Sequence, residues 1–345
     1  MPRFSERWPS FTDYIIEITR EIWDQRKVLA LHDYYAKDIV VRTPAGVSVG
    51  VEAVIAATYE SIGRAPHRTA GAEDVIWSCD ASGHFYSSHR NVDFLVHDQD
   101  DLYGPATGRK VWYWIVADCA ARDDVVDDEW LVRDTGGVAR QLGWHPLEFA
   151  RRQITDEGGP EACRKPLTAV TDRPGPYKGA GNDDPWGAKY AAVLERVMRG
   201  DLSAVLEAYD EQCHCLYAGS REGHCPNDVN AFWATLRSSF PRARFTIQHI
   251  IGRVDDLMPP RAAIRWTLEG KHEGWGAFGR PTGAEVYIMG MSHAEFGPRG
   301  VRREYALFDE VAVWKQILLQ APALREAPDR DGHVPAGVAR LGAGA

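Results

Sequence analysis

Apolar residues recur at helical spacing at Phe11, Tyr14, Ile15, Ile18 and Ile22, behind Ser10, a residue type that caps helix N-termini. A second helical stretch surrounds Val28 to Tyr35, a short strand covers Asp38 to Arg42, and a third helix runs from about Val51 to Ile62. The period then changes to two, predicting long strands near 71–79, 84–97, 109–121 and 125–133. The same succession returns later, with helices near Ala188 to Met198, Leu202 to Tyr209 and Asp228 to Ser239. Strands follow near 243–253, 262–272, 284–296 and 301–308. Helices followed by strands, without βαβ alternation, predict an α+β fold. Each half is expected to be a curved antiparallel sheet closed by about three helices, a cone with a pocket inside.

Specific residues repeat as well. His97-x5-Tyr103-Gly104-x2-Thr107-Gly108 returns as His272-x5-Phe278-Gly279-x2-Thr282-Gly283, an offset of 175 residues. That offset carries Arg90 onto Arg265 and Glu129-Trp130-x3-Asp134 onto Glu304-Tyr305-x3-Asp309. The chain therefore reads as a tandem duplication. Its expected divisions are a first domain at 8–155, a Gly- and Pro-rich linker at 156–183, a second domain at 184–322, and a loose tail at 323–345.

Composition narrows the class. The 345 residues are 44% hydrophobic and 26% charged, as in a globular protein, and 40 Lys+Arg against 49 Asp+Glu leave a net charge of -9. An acidic balance argues against a nucleic-acid partner, and no apolar run reaches the length of a membrane span. The opening MPRFSERWPSF lacks the apolar centre of a signal peptide, so a cytoplasmic location is expected, with the six cysteines reduced. Cys213, His214 and Cys215 alternate along a strand, so His214 faces away from its neighbours, which argues against a shared metal. The expected partner is a small molecule, with no metal or cofactor.

Alternation lets the second half calibrate the first. Ala262, Ile264, Trp266 and Leu268 form the apolar, inward face of their strand; the repeat offset carries this face onto Ser87, His89, Asn91 and Asp93. Four inward polar groups cost several kcal/mol unless paired or wet, so a hydrated ligand pocket is expected in the first half. The other face, with Tyr86, Val92, Phe94 and Val96, is apolar enough to predict a covering sheet, from the second half or from a second copy in a homodimer. On the next strand Trp112, Trp114, Val116 and Asp118 share a face, matched by Tyr287, Met289, Met291 and His293; on the last, Trp130, Val132 and Asp134 match Tyr305, Leu307 and Asp309. A carboxylate at the end of such a stripe loses hydration, which raises its pKa toward the range useful for proton transfer. Asp134, with Asp118 and His89, is the expected acid–base group of the first half, and Asp309, with His293 and His214, that of the second. Arg42 or Asn91 would steady a developing oxyanion. Ser87, Asp93, Trp112, Trp114, Trp130, Trp266, Tyr287 and Tyr305 would line the substrate. Both aspartates also precede helices and fit simple N-caps, so that role stays open, while His97 and His272, before their Gly-rich turns, read as structural hydrogen-bonders.

The order aromatic-Gly-x-x-Thr-Gly, a strand, then Glu-aromatic-x-x-x-Asp and a helix reaching Gln141-Leu142-Gly143 resembles the SnoaL-like polyketide cyclase family, of the nuclear-transport-factor-2-like cone fold shared with ketosteroid isomerase. The resemblance covers both halves. It implies intramolecular aldol chemistry without a cofactor, with an aspartate as acid–base and histidines close by. The family's aspartate corresponds to Asp134 and Asp309, and its strand histidines to His293 and His214, where the first half has Asp118 and Arg42. The expected function is proton transfer beside a carbonyl: aldol or retro-aldol reaction, isomerisation or dehydration. A non-catalytic binding or dimerisation scaffold and an epoxide or ester hydrolase are the alternatives.

Overall fold

The computed structural model describes residues 4–326. In the first half Ser10 Oγ accepts from the Asp13 amide and opens α1 (Phe11–Thr19), which buries Phe11, Tyr14, Ile15 and Ile18 and continues as a π-helical turn, Arg20–Asp24. There follow α2 (Leu31–Tyr34), β1 (Tyr35–Thr43), β2 (Gly46–Val49), α3 (Val51–Arg64), β3 (Thr69–Cys79), β4 (Phe85–Val96), β5 (Lys110–Arg122), β6 (Val125–Arg133), α4 (Thr135–Gln141) and α5 (Pro146–Asp156). The second half runs α6 (Pro185–Met198), α7 (Ser203–Ala208), β7 (Tyr209–Tyr217), β8 (Arg221–Gly223), α8 (Pro226–Ser239), β9 (Arg244–Arg253), β10 (Arg261–Lys271), β11 (Glu285–Gly297), β12 (Gly300–Phe308), α9 (Glu310–Gln320) and α10 (Pro322–Arg325). The rest of the tail, 327–345, lies outside the described residues.

Both sheets have six strands in the same order, β2-β1-β6-β5-β4-β3 and β8-β7-β12-β11-β10-β9. Neighbours are antiparallel except β1 with β6 and β7 with β12, so each sheet is mixed rather than wholly antiparallel. The protein is thus two α+β cone domains in tandem. The short strands β2 and β8 were not predicted from periodicity, because four and three residues are too few to establish a period.

The second cone is filled. Trp233, Trp266, Phe240, Phe278 and Phe308 are fully buried in it, with Trp266 lying 6.0 Å from Trp233 and 5.5 Å from Phe245. Gly290 makes this possible, since a Cβ there would meet the Trp266 ring at 2.2 Å.

The convex sheet faces touch one another. Ser88 Oγ lies 2.8 Å from His293 Nε2, the Arg90 guanidinium stands 3.4 Å over Tyr305, and Arg265 stands 3.7 Å over Trp130. Across the helices, Lys315 Nζ reaches Glu157 at 2.7 Å. The connecting segment is packed rather than loose: Leu167 and Tyr177 are buried, and Tyr177 Oη meets His249 Nε2 at 2.8 Å. Among the described residues no helix is long and apolar enough to cross a membrane.

Candidate functional site

Alternation along β4, β5 and β6 sends one set of side chains into the first cone. His89, Asn91 and Asp93 come from β4, Ile115, Ala117 and Cys119 from β5, and Glu129, Leu131 and Arg133 from β6. Opposite them stand Ile15 and Ile18 of α1, Trp23 of the π-turn, and Val54, Thr58 and Ser61 of α3. They enclose about 330 Å³, within the range of small-molecule sites. Ser87 lies on the same face and meets His89 Nδ1 through its Oγ at 3.2 Å.

The electrostatics separate three groups. Burial holds the His89 imidazole neutral, pushing its pKa down to about 4. Burial pushes the Asp93 carboxyl upward, against the Arg68 charge 3.1 Å away and a 3.1 Å hydrogen bond from the Tyr113 hydroxyl. Arg68 is itself fixed, 4.3 Å over Trp23 and 3.2 Å from Ser61 Oγ. Burial also raises Glu129, opposed by a hydrogen bond from Tyr35 and by the Arg133 charge. Glu129 and Arg133 escaped the sequence reading as site residues, although Glu129 stands in the repeated Glu-aromatic pair.

The expected grouping of Asp134, Asp118 and His89 does not form. Ser88 pairs with Asp118 and His89 with Ala117, and directly opposed residues share a face, so Asp118 points away from the cavity. There it accepts from the Tyr86 hydroxyl and faces Arg265 Nε at 3.4 Å. Asp134 caps α4, accepting from the Gly137 amide at 3.0 Å, and reaches across to the Gly219 and Ser220 amides at 2.7 and 2.8 Å. Asp309 caps α9 through the Val311 amide at 2.9 Å and accepts from the Thr135 hydroxyl at 2.8 Å. Burial pushes both aspartates up to about 6, but each is enclosed by the domain contact rather than by a pocket.

The expected partners of Asp309 are dispersed too. His293 lies between Ser88 and Arg90, and burial with the Arg90 charge keeps it well below the usual histidine range. His214 is exposed on the β7–β8 hairpin beside Glu222 and His224, a trio whose ligand atoms lie within 4.8 Å of one another, where no metal-binding set was expected.

The aromatic stripe also lies on the convex side. Trp114 donates to Glu73 at 3.0 Å and packs 4.6 Å from Trp112; Trp130 is held between Arg42 and Arg265; Tyr305 lies under Arg90. Tyr287 shares the face of Thr267 and Met289 rather than that of Trp266, which is core. Arg42 is committed to Asp128 and to Asp172, the latter at 2.8 Å, so it is a tie to the connecting segment rather than an oxyanion donor. His97 bonds Thr107 and Asp101, both at 3.0 Å, and His272 bonds Thr282 at 3.1 Å, fixing the two Gly-rich turns.

No curated protein matches the chain. Among solved structures, similarity is found to IdmH of Streptomyces antibioticus, a candidate polyketide cyclase, at 21% identity over 38% of this chain and 97% of that one, TM-score 0.35. A SnoaL-like polyketide cyclase of Agrobacterium tumefaciens is 17% identical over 39% and 98%, TM-score 0.31. TsrD of Streptomyces laurentii is 17% identical over 38% and 94%, TM-score 0.32. The family model described as SnoaL-like domain matches residues 190–301. The second half of the chain therefore carries a SnoaL-like domain, and the first half repeats its fold.

Proposed function

We propose that the first domain is a cofactor-independent acid–base site for a small carbonyl compound of polyketide type, with the second domain as its partner surface within the chain. The observation that carries this is the Glu129 carboxylate, buried in a cavity that His89, Asn91 and Arg133 also line. A carboxylate deprived of water is a stronger base than one in solvent. Glu129 takes a proton from the carbon beside a carbonyl. The C–H electrons form a C=C bond as the carbonyl π pair moves onto oxygen, and Asn91 and Arg133 stabilise the enolate. In the aldol direction the enolate carbon attacks a second carbonyl, whose oxygen receives the proton back from Glu129. Neutral His89 supplies an uncharged hydrogen-bond partner, and Arg68 with Tyr113 holds Asp93 in place. The SnoaL-like match lies at residues 190–301 of the second domain and supports chemistry of the cyclase type in the first only through the fold that the two halves share.

The test is exchange of α-protons for deuterium in a panel of β-dicarbonyl and aryl polyketide-like ketones, followed by NMR. Wild type is expected to catalyse exchange in at least one member, and Glu129→Gln to lose about a hundredfold or more with an unchanged circular dichroism spectrum. Exchange unaffected by Glu129→Gln overturns the reading; saturable binding without exchange supports a binding module instead.

A further inference from the structure

The β7–β8 hairpin carries a constellation that the cavity does not use. Cys215 pairs with Gly223 across this antiparallel turn, which puts His214 directly opposite His224. Their rings are parallel within 4°, with centroids 5.1 Å apart. The Glu222 carboxylate stands 3.8 Å from Nε2 of His214 and 3.6 Å from Nε2 of His224. Two imidazoles and a carboxylate thus converge from one face.

The surroundings keep this set available. Arg303, the neighbour of His214 on β12, directs its charge to Glu295 at 3.8 Å rather than to Glu222. The His224 amide donates to Asp228 at 2.7 Å, anchoring the end of the hairpin to the first turn of α8. The cysteines on either side of His214 are buried and belong to the core.

The first half provides an internal contrast. In its hairpin Val40 pairs with Val49, and Val47 with Arg42. The registers make Val40, Val47 and Val49 the counterparts of His214, Glu222 and His224. All three ligand-type residues occur together in one hairpin, and valines hold all three places in the other.

We infer that His214, Glu222 and His224 form a divalent transition-metal site that clamps the β7–β8 hairpin. Imidazole with carboxylate suits Zn²⁺, Ni²⁺ or Cu²⁺ rather than Mg²⁺ or Ca²⁺, and three ligands on an exposed face leave positions open to water. The site is independent of the first-domain cavity and of its proposed chemistry.

The full chain is titrated with Zn²⁺ against a chromophoric chelator at neutral pH, as wild type and as Cys225→Ser, which removes the nearest partly exposed thiol. One equivalent is expected to bind in both. His214→Val and His224→Val are each expected to weaken binding about tenfold or more, while circular dichroism stays unchanged. A Zn²⁺-dependent rise in Tm should accompany binding and vanish in the double valine variant. Equal binding by wild type and the double variant, or loss of binding in Cys225→Ser alone, overturns the assignment.

Discussion

The two concave faces share a backbone and differ in what they contain. Between the first and second cones His89 becomes Ile264, Asn91 becomes Trp266, Asp93 becomes Leu268, and Arg133 becomes Phe308. Ile115 becomes Gly290, and the room this releases is taken by the Trp266 ring. The glutamate persists. Glu304, like Glu129, meets the tyrosine that opens the first strand, Tyr209 in place of Tyr35. In the second cone Tyr190 and Tyr217 add their hydroxyls at 2.7 Å, the Trp233 indole stands at 3.4 Å, and the carboxylate is 0% exposed. The same carboxylate is thus sealed into a core in one half and faces a cavity in the other. The fold tolerates both, because a cone filled by aromatic rings and a cone filled by a ligand exclude water equally well.

The largest expected effect comes from converting one face into the other. Asn91→Trp with Ile115→Gly should keep the fold and abolish ligand binding, as read by NMR titration of the cavity; retained binding would show that ligands enter elsewhere. Next comes the pair of glutamates. Glu129→Gln should cost activity about a hundredfold with little change in Tm, whereas Glu304→Gln should leave activity intact and cost about 2–3 kcal/mol in urea unfolding, because three hydroxyl donors lose an anionic acceptor. Equal outcomes for the two would erase the distinction between the cones.

A smaller effect is set by pH. The unfolded chain protonates a histidine near its ordinary value, whereas folded His89 does so only near 4. Stability contributed by neutral His89 is therefore complete above the ordinary histidine value and falls as pH drops toward 4, by about 1.4 kcal/mol per unit. Comparing urea unfolding of wild type and His89→Gln across that window isolates this slope, which Ile264 in the second cone cannot show. The smallest effect belongs to Asp134→Asn, expected to keep the cap, to cost about 1 kcal/mol through the lost acceptor for the Ser220 amide, and to leave activity within about twofold of wild type. A hundredfold loss would return Asp134 to the chemistry.

Much of the fold was legible because period and repeat are local signals. The strand expected at 125–133 is β6, and the transfer of Ile264, Trp266 and Leu268 onto His89, Asn91 and Asp93 uses only alternation and the repeat offset. The site was harder to read. Register between strands is absent from any single strand's period, so Asp118 was grouped with His89 rather than with Ser88. The rule that apolar means inside also failed on β5 and β6. Trp114 and Trp130 face the second sheet, so the stripe ending in Asp134 looked as internal as Glu129, Leu131 and Arg133 on the other face. Arg42 resembled an anion donor because nothing near it in sequence announces Asp172, which lies 130 positions along the chain.

The ordered crossing between the halves has a consequence for behaviour on dilution. With Tyr177 seated against His249 and Arg42 tied to Asp172, each half meets the other at an effective concentration fixed by the chain rather than by the test tube. Two separate cones would part on sufficient dilution and wet the tryptophans between them; here the two domains stay together in a single molecule, however scarce the protein becomes.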